Sequence, residues 1–183
     1  MAYRNGTYVA FHADNTSNPT ESDMKYYNTL RMWKVRDKEG DFNFINSHEK
    51  RQVRDWSSRE TLRAALRDRM NNSKHLLLII GDTTRFDRDW IPFEIAHAVD
   101  NCEIPIIAAY TGYKWIMAPA ALSSLWPQAL ADRIEDESAR VIHVPFRKEP
   151  IVDAVSQFDF NNPPKGALVH YSKKAYLSWG YEL

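Results

Sequence analysis

A single cysteine, Cys102, is present. It rules out an intrachain disulfide and leaves a structural zinc site no thiolate pair, and such usage fits a reducing compartment. Long apolar runs are missing as well: Leu76 to Ile80 is far too short to span a bilayer. The N-terminus carries Arg4, Asn5 and Thr7 where a secretory signal would have an apolar stretch, so a cytoplasmic protein is expected. Charge of one sign is not in excess either. The 24 Lys and Arg residues balance 24 Asp and Glu, against the basic surplus of a general nucleic-acid binder.

Several site signatures are also absent. No glycine-rich phosphate loop follows the first strand, neither of the Walker nor of the dinucleotide kind. Paired histidines at zinc spacing and Ser or Cys nucleophile elbows are not found. The six histidines are scattered and read mostly as surface or strand-end residues.

What is there is a chain of 183 residues, 44% hydrophobic and 26% charged, enough to bury one core. Strand-like and helix-like segments alternate. Thr7–Phe11 and Phe42–Ile45 are strand formers, with a helix from Met24 to Trp33 between them. Ser57 and Glu60 fit a capping box for a helix carrying Leu62, Ala65, Leu66 and Met70, stopped at Asn71 and Asn72. His75–Gly81 reads as a central buried strand. Asp89 can cap a helix whose buried stripe is Ile91, Ile95, Ala98, Val99 and Cys102. Pro105–Tyr110 and Ala139–Val144 are further strands, Ala118–Ala131 and Pro150–Phe158 further helices. This alternation predicts an α/β fold, a central mostly parallel sheet between helical layers over residues 1–160. An aromatic extension, 161–183, carries Tyr171, Tyr176, Trp179 and Tyr181 and is expected to add a strand or meet a partner.

Ligands of such sheets sit beyond the carboxyl ends of the strands, so the loops after Phe11, Ile80 and Tyr110 are where chemistry is sought. After Ile80 a polar loop with Thr83 and Thr84 leads to Trp90 and, four residues on, Glu94, neighbours on a helix surface. On its own Glu94 is read as a helix-dipole acid, Asp14 as a turn residue, and Thr83 and Thr84 as loop hydroxyls. His97 is expected on the exposed side of that helix, and Cys102 in the core.

Trp90, Glu94 and Ile95, placed after a strand and a Thr-containing loop, resemble the TIR-like domains. Val9-Ala10-Phe11-His12, Phe86–Trp90 and Met70–Ser73 resemble the TIR-like subunits of Thoeris anti-phage systems in particular, over roughly Tyr8 to Tyr113. The chain departs from that pattern where charged Arg88 and Asp89 precede the Trp, and where Tyr110-Thr111-Gly112 replaces an Asn of some relatives.

The resemblance implies a TIR-like, flavodoxin-like three-layer sandwich that cleaves the nicotinamide–ribose bond of NAD, with NAD as substrate and no other cofactor or metal. It implies Glu94 as the catalytic acid, and Phe11, His12, Asp14, Thr83, Thr84, Trp90 and Tyr110 as substrate-binding. Its products would be ADP-ribose or a cyclic isomer signalling to a separate effector. Self-association and a phage-derived trigger are the expected partners, with no nucleic acid or membrane. Two other readings stand beside it: a non-enzymatic TIR-like or receiver-like scaffold, and a deoxyribosyl transferase acting on nucleosides.

Overall fold

The computed structural model describes residues 4–12, 23–36, 44–45 and 58–182. Asp14 and Ser57 lie outside these residues, as do Phe42 and Asn43 of the second strand. The sheet has strands β1 (Gly6–Ala10), β2 (Phe44–Ile45), β3 (Ser73–Ile80), β4 (Ile106–Tyr110), β5 (Val141–Pro145) and β6 (Val169–His170). Their spatial order is β2-β1-β3-β4-β5-β6, and every pairing is parallel. Strands β1, β3, β4 and β5 are buried almost throughout, as near-continuous apolar runs require when helices cover both faces.

The pleat sends alternate residues into two separate clusters. Tyr8, Ala10, Leu76, Leu78 and Tyr110 face one layer, built by helices α2 (Arg59–Asn71), α3 (Trp90–Ala96) and α4 (Gln128–Glu135). Val9, Phe11, Leu77, Ile79 and Ala109 face the other, built by α1 (Met24–Arg36), α5 (Lys148–Gln157) and α6 (Lys173–Ser178). Each apolar residue taken out of water contributes about 1.5–3 kcal/mol, so two filled layers hold the sheet from both sides.

The local chemistry departs from the sequence expectations in three places. Ser58 caps α2, its hydroxyl accepting from Thr61 N, while Glu60 pairs with Arg67. The predicted Ala118–Ala131 helix is two pieces, a 3-10 segment Pro119–Leu125 and α4. Pro127 divides them, because a residue before proline is pushed out of the helical region and Trp126 is extended at ψ 136°. Lastly, His75, His97 and His143 are buried rather than superficial.

The C-terminal segment belongs to the core. β6 extends the sheet beside β5, and the Tyr176 hydroxyl both accepts from Ile116 N at 3.1 Å and donates to Ile116 O at 3.2 Å. Tyr171, Trp179 and Tyr181 pack edge-on around the Tyr176 ring or one another. Among the described residues no helix is long and apolar enough to cross a membrane.

Candidate functional site

The chain leaves β1 for β2 on one side and returns to β3 on the other, so the strand order reverses between β1 and β3. In open α/β sheets ligands bind beyond the carboxyl ends of the strands at such a reversal, here the exits of β1 and β3. Two sets of side chains gather around this pair of strands.

The first set centres on Glu94. Helix α3 begins where Asp87 Oδ1 accepts from the amides of Asp89 (2.8 Å), Trp90 (2.9 Å) and Ile91 (3.4 Å). Asp87, and not the expected Asp89, therefore satisfies the free N–H groups of the first turn. Asp89 is drawn off to Arg59 and Arg63 on α2, which ties α2 to α3. With the helix so fixed, Ile91 and Ile95 pack on the sheet and Glu94 comes down beside them, only 2% exposed. The Tyr8 hydroxyl on β1 donates to Glu94 Oε1 at 2.8 Å. A buried carboxylate is tolerated when donors hold it, and Tyr8 is one of them. Trp90, one turn earlier, is half-buried against the same cluster.

The second set sits at the strand exits. His12 Nδ1 lies 3.2 Å from Thr83 Oγ1, joining the end of β1 to the loop after β3. The Thr84 hydroxyl accepts from Gly81 N and donates to Asp23 Oδ2, both at 2.8 Å. Asp23 is buried at the start of α1, where its carbonyl accepts from Tyr26 N and Tyr27 N. Burial pushes the Asp23 carboxyl above its ordinary range, against the pull of the Thr84 hydroxyl and of His12. A methyl group on Gly81 would overlap Asp23 Oδ1, so glycine is needed there for close approach.

The expected site residues thus divide. Glu94 and Trp90 stand on α3 on the Tyr8 side of the sheet, and His12 and Thr83 join the exits of β1 and β3. Thr84 lies there too, but its hydroxyl is engaged by Asp23 and Gly81. Phe11 does not face Glu94: the pleat turns it into the opposite cluster, stacked on Tyr27 at 4.9 Å. Tyr110 is buried, with its hydroxyl accepting from Trp126 Nε1 and meeting His143 Nδ1, both at 2.7 Å. That hydroxyl is occupied inside the core, where burial raises its pKa strongly. His97, expected on the surface, is buried between Asn71 and Asn101 at 3.2 Å from each, and burial lowers its pKa.

Two members of the site went unnoticed in the sequence. Tyr8 reads as a strand former, yet a polar aromatic inside an apolar strand is a usable signal, since a buried Tyr hydroxyl seeks a partner. Asp23, at the end of a polar stretch before the first helix, carries no pattern that marks it. Among the described residues no three His, Cys, Asp or Glu side chains converge as a metal site.

An all-parallel sheet with this strand order, and an acid one turn after a tryptophan on the helix following β3, define a TIR-like α/β domain. The family model for the TIR-like domain of the Thoeris protein ThsB matches residues 8–114, more than half of the chain. The chain belongs to that family. The match runs from Tyr8 through β4 and takes in Asp23, Thr83, Trp90 and Glu94.

Proposed function

We propose that this protein consumes NAD by cleaving its nicotinamide–ribose bond, with Glu94 as the catalytic carboxylate. The observation that carries the reading is Glu94 itself, a carboxylate withdrawn from bulk water and oriented by Tyr8 of β1. Membership of the TIR-like family, many of whose members are NADases, supports it.

The chemistry asks for little more than one such acid. When the glycosidic C–N bond breaks, its electron pair neutralises the pyridinium, so nicotinamide leaves without a proton. The ribose is left as an oxocarbenium-like cation, the species glycosidases stabilise with carboxylates. A fixed anion in a water-poor site interacts with that developing charge more strongly than with neutral ground-state sugar. Water attacking the sugar gives ADP-ribose. A ribose hydroxyl or an adenine nitrogen of the same molecule gives a cyclic isomer. In this reading His12 and Thr83 at the strand exits meet ribose or phosphate, and Trp90 walls the sugar side.

At 2% exposure Glu94 needs an opening before a sugar reaches it. That burial suits a resting state that turns over after a trigger or self-association; in this reading the nucleotide product then acts on a separate effector. The test is nicotinamide release from NAD by the wild-type chain and by Glu94→Gln. The glutamine keeps the side chain's shape and an oxygen for Tyr8, so loss of release in a folded variant assigns the chemistry to the charge.

A further inference from the structure

A cavity of about 470 Å3 opens beyond the ends of β4 and β5, within the size range of small-molecule sites. It lies in the other helical layer from Glu94. Its walls include Tyr26 and Trp33 of α1 and Phe146 after β5, which pack on the Val9/Phe11 cluster, whereas Glu94 meets Tyr8 on the opposite face. The sheet separates the two places.

The wall is aromatic and fixed. Tyr26 meets the Phe146 ring edge-on at 5.0 Å, and Trp33 stacks on it at 5.5 Å. Tyr113, an exposed ring, adds a further aromatic surface. Beside these rings stand two cations, Arg147 and Lys148. The adjacent Glu149 does not neutralise them by direct contact: its carboxylate accepts from the Tyr181 hydroxyl at 2.9 Å. Among the described residues neither Arg147 nor Lys148 forms an ion pair. Exposed cations are ordinarily just solvated. Here a pair of them borders a concave, ring-lined space, and the combination matches a ligand with a flat base at one end and a phosphate at the other. Bases stack on aromatic side chains, and a guanidinium fork fits phosphate oxygens.

We propose that this cavity is a second nucleotide site, which takes a purine mononucleotide with its base on the Tyr26–Trp33–Phe146 wall and its phosphate at Arg147 and Lys148. It does not rest on the catalytic reading of Glu94, and either can stand without the other.

Titration calorimetry of the full chain with AMP tests this, with adenosine and inorganic phosphate as parallel probes. The variants are Arg147→Ala/Lys148→Ala, both exposed positions, and Glu94→Gln, each checked by circular dichroism. AMP should bind more tightly than adenosine or phosphate alone. The double variant should weaken AMP by about tenfold or more, since charged hydrogen bonds to phosphate are the strong ones. Glu94→Gln should leave AMP binding unchanged. No AMP binding up to millimolar concentration would overturn the proposal. So would AMP binding that survives the double substitution, or that disappears only with Glu94→Gln, since the nucleotide would then sit elsewhere.

Discussion

Tyr8 on β1 donates its hydroxyl to Glu94 Oε1 on α3 at 2.8 Å, a contact between residues 86 apart in sequence. The contact joins β1 to the helix that follows β3, and it sets the direction in which the carboxylate points. Asp87 makes it possible by capping α3 in place.

Tyr8→Phe removes the donor while keeping the ring that fills the core. Leaving a buried carboxylate oxygen short of a hydrogen bond costs about 1–3 kcal/mol, so a lower thermal midpoint is expected. Nicotinamide release should fall by about 10- to 100-fold, because a misdirected carboxylate loses alignment with the sugar. Unchanged release in Tyr8→Phe would remove Tyr8 from the site.

Gly81→Ala is expected to destabilise the fold through Asp23. The added methyl displaces the Asp23 carboxyl and breaks its bond from Thr84, a loss of about 1–3 kcal/mol. Paired with Asp23→Ala, the same substitution should cost much less. A double-mutant cycle in urea reads the coupling, and strict additivity would show that the two residues do not touch.

Acid should weaken the fold through two histidines. His75 and His143 are buried, and burial lowers both from 6.5 to about 4. Between those values the unfolded chain binds more protons than the folded one. The stability present above about pH 6.5 is therefore lost as pH falls toward 4, on the order of 2–3 kcal/mol per histidine. Asp23, raised by burial, tilts the profile the other way, since the folded chain holds its proton more firmly as pH falls. Thermal melts between about pH 7.5 and pH 5 should show falling midpoints, with a shallower fall in His143→Gln. A flat profile would contradict the burial of these rings.

The C-terminal segment should be indispensable to folding. Tyr176→Ala empties a fully buried position and should cost about 3–5 kcal/mol. A chain ending at Phe158 would lose β6, α6 and the rings that cover one layer of the sheet. Urea unfolding of both forms checks this, and native-like stability of the shortened chain would contradict it.

Much of the fold was legible because strong periodicities agree with one another. His75–Gly81 and Pro105–Tyr110 read as buried strands and are β3 and β4, and Asn71 and Asn72 do end α2. The placing of Trp90 and Glu94 one turn apart on a single helix was legible from their spacing. What was hidden depends on which face a side chain takes. In a strand covered on both sides, Tyr8 and Phe11 look equally apolar, and only the packing of α3 tells which one meets Glu94. The histidines misled for a related reason. His143 is polar, yet it is satisfied inside by Tyr110 and by the carbonyl of Ala167, a partner 24 residues away. Asp89 looked like the cap of α3 because it immediately precedes the helix, but two arginines on α2 compete for it and leave the amides to Asp87.

The most direct measurement is nicotinamide release from NAD, followed by chromatography, for the wild-type chain and Glu94→Gln side by side under the conditions that activate turnover. Wild type should release nicotinamide, and the folded glutamine variant should release almost none. Equal rates from the two proteins would contradict the role given to Glu94.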